Sequence, residues 1–209
     1  MREGILRAAE SVFAERGYAA ASTREIAERA GIGKRMLFYY FESKDAVYEH
    51  VLGRLLDQIQ RLHALSEGAP GPDGLRDFIA ALLRFAAANP DPVRLLVREI
   101  IDEGKHLDRM AERYVRPLFA SGYAAVARNA EEGVFGPQDP MHALINIGGM
   151  TIFYVLTAPL TARVWNRDPL DPEAVEHHIE AAVRFALAGL TTPAATQPAP
   201  GNTEEAVDP

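Results

Sequence analysis

Three consecutive side chains near the N-terminus are of types that contact DNA bases. Lys34 and Arg35 can donate hydrogen bonds to guanine acceptors in the major groove, and the apolar Met36 can contact a thymine methyl group. They lie within a stretch, residues 21–44, that also contains four aromatic residues in a row at positions 38–41. The order of these residues predicts a base-reading segment.

A second set of side chains in the same stretch could bind the phosphate backbone. Hydroxyl and ammonium groups donate to phosphate oxygens, and such contacts hold a protein in position on a duplex without reading its sequence. The candidate phosphate donors are Thr23, Tyr39, Tyr40 and Lys44. Together the two sets indicate DNA binding, although a helical hairpin with a charged, solvated face would also explain the spacing.

Two short helices joined by a tight turn would position both sets. Ser22 and Glu25 are spaced as a capping box, which predicts a helix from about residue 23 to residue 30. Gly31 permits the positive φ of a tight turn, and a second helix is predicted from about residue 33 to residue 40. This is the geometry of a helix-turn-helix motif, whose second helix enters the major groove N-terminus first.

Helices on either side of this motif are predicted to support it. Apolar residues at helical spacing run through residues 2–16, and Gly17 follows where a left-handed cap would lie. Ser43 is a natural N-cap for a long fourth helix, which continues past residue 60 with apolar residues alternately four and three positions apart. That helix should join an N-terminal head to a larger body.

Three further helices are predicted in the body. Helix five follows a glycine- and proline-rich loop at residues 67–74, and helix six begins at a capping Asp-Pro pair, residues 91–92. Helix seven extends from residue 105 to about residue 132, and Pro117 is expected to kink or divide it.

The most apolar run in the chain, residues 141–160, predicts a helix that is buried on two sides. A soluble helix that is apolar all round needs its own domain on one side and another chain on the other. The last helix begins at an Asp-Pro pair, residues 171–172, and two such helices per subunit would form a four-helix interface. His142, Asn146 and Pro159 make the run a poor membrane span, so no membrane partner is expected.

A formal net charge of −7 would by itself disfavour a nucleic-acid partner, because phosphate attraction dominates non-specific binding. The charge is unevenly distributed, however. Residues 1–50 have eight basic and eight acidic side chains, whereas the rest of the chain has 14 basic and 21 acidic ones. A neutral head with a local basic face can therefore dock on DNA while the acidic body is repelled.

Several classes of chemistry are excluded or disfavoured. The chain has no cysteine, which excludes disulfides and thiolate zinc sites, and its N-terminus has no leader pattern, which predicts a cytoplasmic protein. Glu99, Glu103 and His106 have helical spacing, but Gly104 interrupts them, so no metal site is predicted. No catalytic set is found, and no cofactor is expected.

Residues 2–50 resemble the N-terminal domain of the tetracycline-repressor (TetR) family of bacterial regulators. The match covers about the first quarter of the chain, in the family's order and spacing, with the segment ILRAAESVFAERGYAAASTREIAERAGIGKRMLFYYFESKDAVY. The resemblance implies a dimeric, all-helical repressor. Three N-terminal helices would bind DNA, and the last two helices of a ligand-binding body would dimerise.

The resemblance also implies roles for residues that match the family's pattern. The implied DNA contacts are Thr23, Arg24, Lys34, Arg35, Met36, Tyr39, Tyr40 and Lys44. The chain departs from the pattern at Gly33, Met36 and Phe38, where hydroxyl-bearing residues are common. The operator sequence therefore stays open.

The body helices contain aromatic and apolar side chains with a few polar ones, the mixture expected of a small-molecule cavity. The candidate lining residues are Phe78, Leu82, Phe85, Arg98, Tyr114, Tyr123, Asn146 and Phe153. The alternative is that most of them fill the core or the surface. The expected effector is a small apolar or aromatic molecule with one or two polar groups.

The sequence therefore predicts an all-α protein of about nine helices in three parts. These are a DNA-binding domain at residues 1–46, a ligand-binding and dimerisation domain at residues 47–190, and a disordered tail at residues 191–209. The expected function is a ligand-responsive regulator, most simply a repressor that binds a pseudo-palindromic operator as a homodimer. The alternatives are a helical small-molecule-binding protein or enzyme without a DNA role, and a DNA-free adaptor that dimerises.

Overall fold

The computed structural model describes residues 1–66 and 71–191, and within these ranges the protein is all-α, as predicted. The rest of the predicted tail after Thr191, and residues 67–70 of the predicted loop, lie outside the described residues. The described ranges contain nine helices, in agreement with the expected number. They are α1 (Arg2–Ala20), α2 (Thr23–Arg29), α3 (Lys34–Tyr40), α4 (Lys44–Ser66), α5 (Gly71–Ala88), α6 (Pro90–Ile101), α7 (Leu107–Met110, a π-helical turn at Ala111–Val115, then Arg116–Glu131), α8 (Pro140–Trp165) and α9 (Pro172–Thr191).

The head, α1–α3, shares one hydrophobic core with the first half of α4. Apolar residues that recur every three to four positions face inward, so Phe13, Leu37 and Tyr48 are fully buried between the helices. α1 is longer than predicted, because helical turns resume after Gly17 and continue to Ala20. Gly17 has the expected positive φ, 73°, and breaks the helix without ending it.

The turn between α2 and α3 is closed by a Schellman motif around Gly31. The φ of Gly31 is 68°, which glycine adopts without strain. The N–H of Ile32 donates to the carbonyl of Ala27 at 3.0 Å, and the N–H of Gly31 donates to that of Glu28 at 3.1 Å. Both bonds satisfy carbonyls at the end of α2. The predicted helix-turn-helix geometry is therefore present.

Serine residues cap α2 and α4, as predicted. The Oγ of Ser22 accepts from the N–H of Glu25 at 3.1 Å, and the Oγ of Ser43 accepts from the N–H of Ala46 at 3.1 Å. The reciprocal half of the capping box differs from the prediction. The carboxylate of Glu25 lies 3.4 Å from Nε of Arg16, because a neighbouring cation attracts it more strongly than a backbone N–H does.

The irregularity expected at Pro117 takes the form of a π-helical turn. Proline has no N–H, and its ring crowds the carbonyl four residues earlier, so it destabilises a regular α-helix that leads into it. The backbone widens at Ala111–Val115, which ends two positions before the proline, and α7 then continues to Glu131. The helix is neither divided nor ended.

The most apolar helix, α8, is covered by the chain on one side only. By length and composition it could cross a membrane, and only 28% of its apolar window is buried. Ile147 packs in a cluster with Val175 and Ile179 of α9, whereas Phe153 is 65% exposed. The single chain therefore buries one of the two sides of α8 that were predicted to be buried.

Candidate nucleic-acid interface

The three predicted base-reading side chains lie exposed on the first turn of α3. Lys34, Arg35 and Met36 face solvent, whereas Leu37 is buried in the head core and anchors the helix. Among the described residues, no carboxylate lies within ion-pair distance of Lys34 or Arg35. Both charges are therefore available to an anionic partner.

Phe38 also belongs to this face, and sequence reasoning did not assign it a contact. Its ring is 42% exposed, and Nζ of Lys34 lies 5.7 Å from its centroid, a cation–π distance. Lys34 and Phe38 are four positions apart, so helical spacing alone could have placed Phe38 on the same face as Lys34. An exposed apolar ring on a base-reading helix is suited to contact a thymine methyl group.

The predicted phosphate-binding hydroxyl groups lie on side chains that are at least partly exposed. Tyr39 is 79% exposed, and its ring packs edge-on against Tyr40 with the centroids 5.2 Å apart. Tyr40 is half-buried against the head core, and Thr23 is the partly exposed first residue of α2. Exposure is what phosphate binding requires, and the role of these residues stays a prediction.

Arg24 is exposed but has a partner one turn later in α2. Its Nε lies 2.7 Å from Oε1 of Glu28, and this hydrogen bond raises the pKa of the guanidinium. An ion pair between two exposed side chains contributes little stability. A phosphate group could therefore replace the carboxylate at small cost.

Lys44, a predicted phosphate donor, already donates hydrogen bonds within the protein. Its Nζ donates to the backbone carbonyls of Tyr18 (2.8 Å), Ala19 (3.4 Å) and Ala21 (3.0 Å), and lies 4.3 Å from the centroid of the Tyr18 ring. These contacts hold the connection between α1 and α2 against the start of α4. The ammonium group thus satisfies carbonyls of the head. Lys34 and Arg35 on α3 and Arg24 on α2 are more exposed and have fewer partners.

A buried network joins the head to the body. His106, which is 3% exposed, directly precedes α7, and its Nε2 lies 3.1 Å from Oδ1 of Asp45 at the start of α4. Its backbone N–H donates to Oε1 of Glu99 in α6 at 2.9 Å, and the hydroxyl of Tyr48 donates to Oε2 of Glu99 at 3.1 Å. Gly104 makes room for this carboxylate, since a Cβ there would lie 2.3 Å from it.

The electrostatics of the network follow from its hydrogen bonds and burial. The Lys105 ammonium, the hydroxyl of Tyr18 and His106 all bind Asp45, and they lower its pKa from near 3.8 to about 2. Burial, together with the charge of Glu99, raises the pKa of Tyr48. Asp45 is therefore ionised and Tyr48 is a neutral donor at physiological pH.

Half of the candidate ligand-binding residues lie on the outside of the chain. Arg98, Tyr123, Asn146 and Phe153 are exposed, so within a single chain they do not face an internal cavity as expected. Helical periodicity identified apolar faces but not the neighbours that cover them. Arg98 instead lies against the head, with Nη1 3.1 Å from the position of a Cβ on Gly17.

The other four candidates lie inside the body but are spread along it. Leu82 is buried, and Phe78 is half-buried against the cluster that Ile79 and Leu83 of α5 form with Val175 and Ile179 of α9. Phe85 and Tyr114 are half-buried against the cluster that continues from the head. The structure therefore brings Phe85 and Tyr114 to one cluster and Phe78 to another.

Two family models match the chain. Residues 5–51 match "Bacterial regulatory proteins, tetR family", and residues 72–185 match "Tetracyclin repressor-like, C-terminal domain". The first match contains the helix-turn-helix motif, and the second extends from α5 into α9.

Curated relatives and solved structures are similar over most of the chain. The HTH-type transcriptional regulator RutR of Escherichia coli (strain K12) is 27% identical over 190 residues, 90% of each protein. The repressor SCO4008 of Streptomyces coelicolor is 32% identical over 68% of this chain and 70% of its own length, and the activator FasR of Mycolicibacterium smegmatis is 28% identical over 91% and 83%. The crystal structure of SCO4942 from Streptomyces coelicolor has a TM-score of 0.72 at 24% identity, covering 92% of this chain and 99% of that one.

Proposed function

The chain belongs to the TetR family of bacterial regulatory proteins, and we propose that it controls transcription as a ligand-responsive homodimer on a pseudo-palindromic operator. As a member of this family it is a DNA-binding transcriptional regulator and not an enzyme. The first turn of α3 is the main support, because Lys34 and Arg35 are exposed there without carboxylate partners in the described part of the chain.

The proposed interface divides the contacts by type. Lys34, Arg35 and Met36 read base edges, and Phe38 joins them as an apolar contact. Phosphate contacts come from Thr23, Arg24, Tyr39 and Tyr40, with Lys44 supporting the α1–α2 connection. Two such heads engage half-sites about one helical turn apart, roughly 34–36 Å between centres.

Exposed apolar residues on the last two helices support the homodimer. Phe153 of α8 is 65% exposed and Phe185 of α9 is 73% exposed, and Leu160 and Val164 continue the uncovered surface of α8. Large apolar surfaces on a soluble protein mark interaction sites. A second copy that packs α8 and α9 against the same helices would cover them in a four-helix interface.

The proposed division of the chain follows the same roles. The DNA-binding domain comprises residues 1–46, and the ligand-binding and dimerisation domain comprises residues 47–190. The boundary falls within α4, whose Tyr48 and Leu52 still pack in the head core, so α4 would carry motion of the body to the head.

The effector is proposed to be a small apolar or aromatic molecule bound within the body. Phe78 and Phe85 of α5 support this choice, because each packs against a hydrophobic cluster, and Leu82 of the same helix is buried. Its binding would alter the angle or spacing of the two heads, which weakens operator binding because both must match one helical repeat. We propose that the DNA-bound protein represses transcription. A cytoplasmic location follows from its action on DNA.

Selection of genomic DNA fragments by the purified protein tests the DNA role. We expect recovery of a pseudo-palindromic site, and a promoter reporter carrying that site should be repressed by the protein. A compound screen on the bound fragment then identifies the effector by release of DNA. Recovery of random fragments, with equal affinity for any sequence, would contradict the proposed operator.

Arg35→Ala tests the assignment of base reading. Loss of a bidentate contact to guanine should weaken binding to the selected operator by about 1–3 kcal/mol and relax the preference at one base position of each half-site. Arg61→Ala, an exposed arginine of α4, is the matched control. Fluorescence anisotropy on operator and scrambled duplexes measures both, and equal losses on both duplexes for Arg35→Ala would contradict base reading.

A further inference from the structure

Lysine is rare in this protein, so side-chain primary amines occur at few positions. The chain has three lysines, Lys34, Lys44 and Lys105, among its 22 basic residues, and all three lie within the described ranges. The other basic side chains are arginines, whose guanidinium groups stay protonated in proteins and do not act as amines. A reaction that needs a side-chain amine is therefore restricted to three places.

Two of the three amines are held by partners inside the protein. Nζ of Lys44 donates to three backbone carbonyls at the end of α1 and just after it. Nζ of Lys105 pairs with the carboxylate of Asp45, and hydrogen bonds to Asp45 and Tyr18 raise the pKa of this ammonium group. Only the deprotonated amine is a nucleophile, so groups that favour the ammonium form make both lysines less reactive.

Lys34 differs from both, because its side chain is exposed and unpaired on the first turn of α3. In the part of the chain that the structure describes, neither a carboxylate nor a hydrogen-bond acceptor lies within bonding distance of its Nζ. The centroid of the Phe38 ring lies 5.7 Å from this atom. A Cβ on the preceding Gly33 would meet no atom of a more distant residue within 4 Å, so this side of the turn is open to solvent.

Arg35 places a second exposed and unpaired cation next to Lys34 in the chain. The activated acyl donors of metabolism, acyl phosphates and acyl-coenzyme A thioesters, both carry negatively charged phosphate groups. A guanidinium group binds phosphate oxygens through two parallel hydrogen bonds. The first turn of α3 therefore combines a free amine with a group that can bind the anionic part of such a donor.

We propose that Lys34 is a site of acylation by small activated acyl donors, and that acylation releases the protein from DNA. The ammonium group first loses one proton to water. The nitrogen then attacks the acyl carbonyl carbon, and an N–C bond forms as the C–O bond of an acyl phosphate or the C–S bond of a thioester breaks. A second proton passes from the nitrogen to the departing phosphate or thiolate, which leaves a neutral amide.

The amide would lack the properties that the proposed base contact requires. It has no positive charge and one N–H donor, where the ammonium group has three donors. It can therefore neither displace a counterion from the DNA nor donate to both guanine acceptors. This effect on DNA rests on the proposed function, whereas the reactivity of Lys34 does not.

Acylation of the purified full-length protein without DNA tests the site directly. The protein is incubated with acetyl phosphate or with acetyl-coenzyme A at neutral pH, and peptide mass spectrometry gives the rate at each lysine. The two reagents distinguish the two classes of donor, and Lys44 and Lys105 are controls within the same molecule. We expect Lys34 to be acetylated severalfold faster than either control with at least one donor. An equal or slower rate at Lys34 with both donors would overturn the proposed site.

Operator binding by the treated protein tests the consequence. Acetylated protein should bind the selected operator more weakly, with a salt slope reduced by about 1, as in Lys34→Gln. Lys34→Arg keeps the positive charge and has no amine at this position, so treatment with the donor should leave its operator affinity unchanged. An equal loss of affinity in treated Lys34→Arg would assign the effect to another residue and overturn the proposed release.

Failure of this proposal and failure of the proposed function can be told apart. The acetylation rates are measured without DNA, so they stand even if no operator is found. A protein that binds its operator but acetylates Lys34 no faster than Lys105 would refute only the modification site. Operator duplex added before the donor should slow acetylation of Lys34 and leave that of Lys105 unchanged. An unchanged rate at Lys34 would place it outside the DNA interface and overturn the proposed release.

Discussion

The sequence predicts DNA contacts for both Lys34 and Lys44, yet the two lysines have different surroundings. Lys34 is exposed on α3 with the ring of Phe38 beside it, whereas Lys44 donates to three backbone carbonyls. A phosphate contact needs an ammonium group that can leave its present partners. The two lysines should therefore have separable effects on DNA binding and on stability.

Lys44→Met should lower the free energy of unfolding by about 1–3 kcal/mol, because three carbonyls lose a charged donor. It should leave the salt dependence of DNA affinity unchanged. Lys34→Ala should have the opposite pattern, with stability near wild type and the salt slope reduced by about 1. Urea denaturation and anisotropy across a salt series measure these effects. A reduced slope for Lys44→Met would restore its phosphate role.

The proposed contact between Phe38 and a thymine methyl group can be tested by removing that methyl group. Replacing thymine by deoxyuridine in the operator removes the methyl group and keeps every hydrogen-bonding atom. If Phe38 contacts that methyl group, the replacement should weaken wild-type binding severalfold at one position of each half-site. Phe38→Ala should bind both duplexes equally. Continued discrimination by Phe38→Ala would assign the methyl contact elsewhere, and Met36→Ala is the companion variant.

At the scale of elements, the head is attached to the body by α4 and by the segment that joins α6 to α7. Glu99 at the end of α6 and His106 before α7 bind each other and groups of α4. Because these buried polar groups satisfy one another, displacing one leaves the others without partners. Motion of α6 or α7 would therefore disturb contacts at the start of α4, next to the helices that we propose contact DNA.

The pH dependence of stability should report on this attachment. The pKa of Asp45 is lowered to about 2, so its ionised form is favoured by folding. Its stabilising contribution is present above the unfolded pKa of about 3.9, and is lost as the pH falls from there towards 2. Asp45→Asn should therefore be destabilised near neutral pH, and the difference from wild type should shrink over that acid range.

Chemical denaturation at a series of pH values measures the difference for Asp45→Asn. Asp73→Asn is the matched control, because Asp73 is exposed and pairs with Arg76 within one turn of α5. A difference between Asp45→Asn and wild type that stays constant down to the lowest pH would show that the ionised carboxylate does not stabilise the fold.

At the scale of the whole molecule, α8 and α9 expose apolar residues that a single chain leaves uncovered. Phe153 and Phe185 expose most of their surface to water, at a cost of about 25 cal/mol for each Å² of apolar area. In a symmetric dimer, the copies of both side chains in each subunit would be buried. The same contact would hold the two heads at a fixed separation.

Phe185→Glu should convert the protein from dimer to monomer, because each dimer would bury two unpaired carboxylates. An interface residue of this kind contributes about 2 kcal/mol or more. Leu65→Glu is the matched control, since Leu65 is 80% exposed on α4. Sedimentation equilibrium measures the association state, and operator affinity should fall in parallel. A Phe185→Glu protein that remains dimeric would exclude this side of α9 from the interface.

The features predicted correctly from the sequence depend on residues that are close together in the chain. Gly31 forms the turn because only a residue tolerant of positive φ fits there, and Ser22 and Ser43 cap helices that begin one residue later. Pro117 disturbs α7 through its own missing N–H. Such rules act over four or five residues, so the pattern alone specifies the helix-turn-helix motif and the number of helices.

Contacts between distant residues required the tertiary structure. Lys44 binds the carbonyl of Tyr18, 26 residues away, and His106 binds Asp45, 61 residues away. The candidate ligand-binding residues lie in different parts of the body, because helical periodicity does not specify which helix covers a given face. The sequence by itself determined a helical DNA-binding head on a helical body. Only the packing of distant helices decided which charges are free and which are paired.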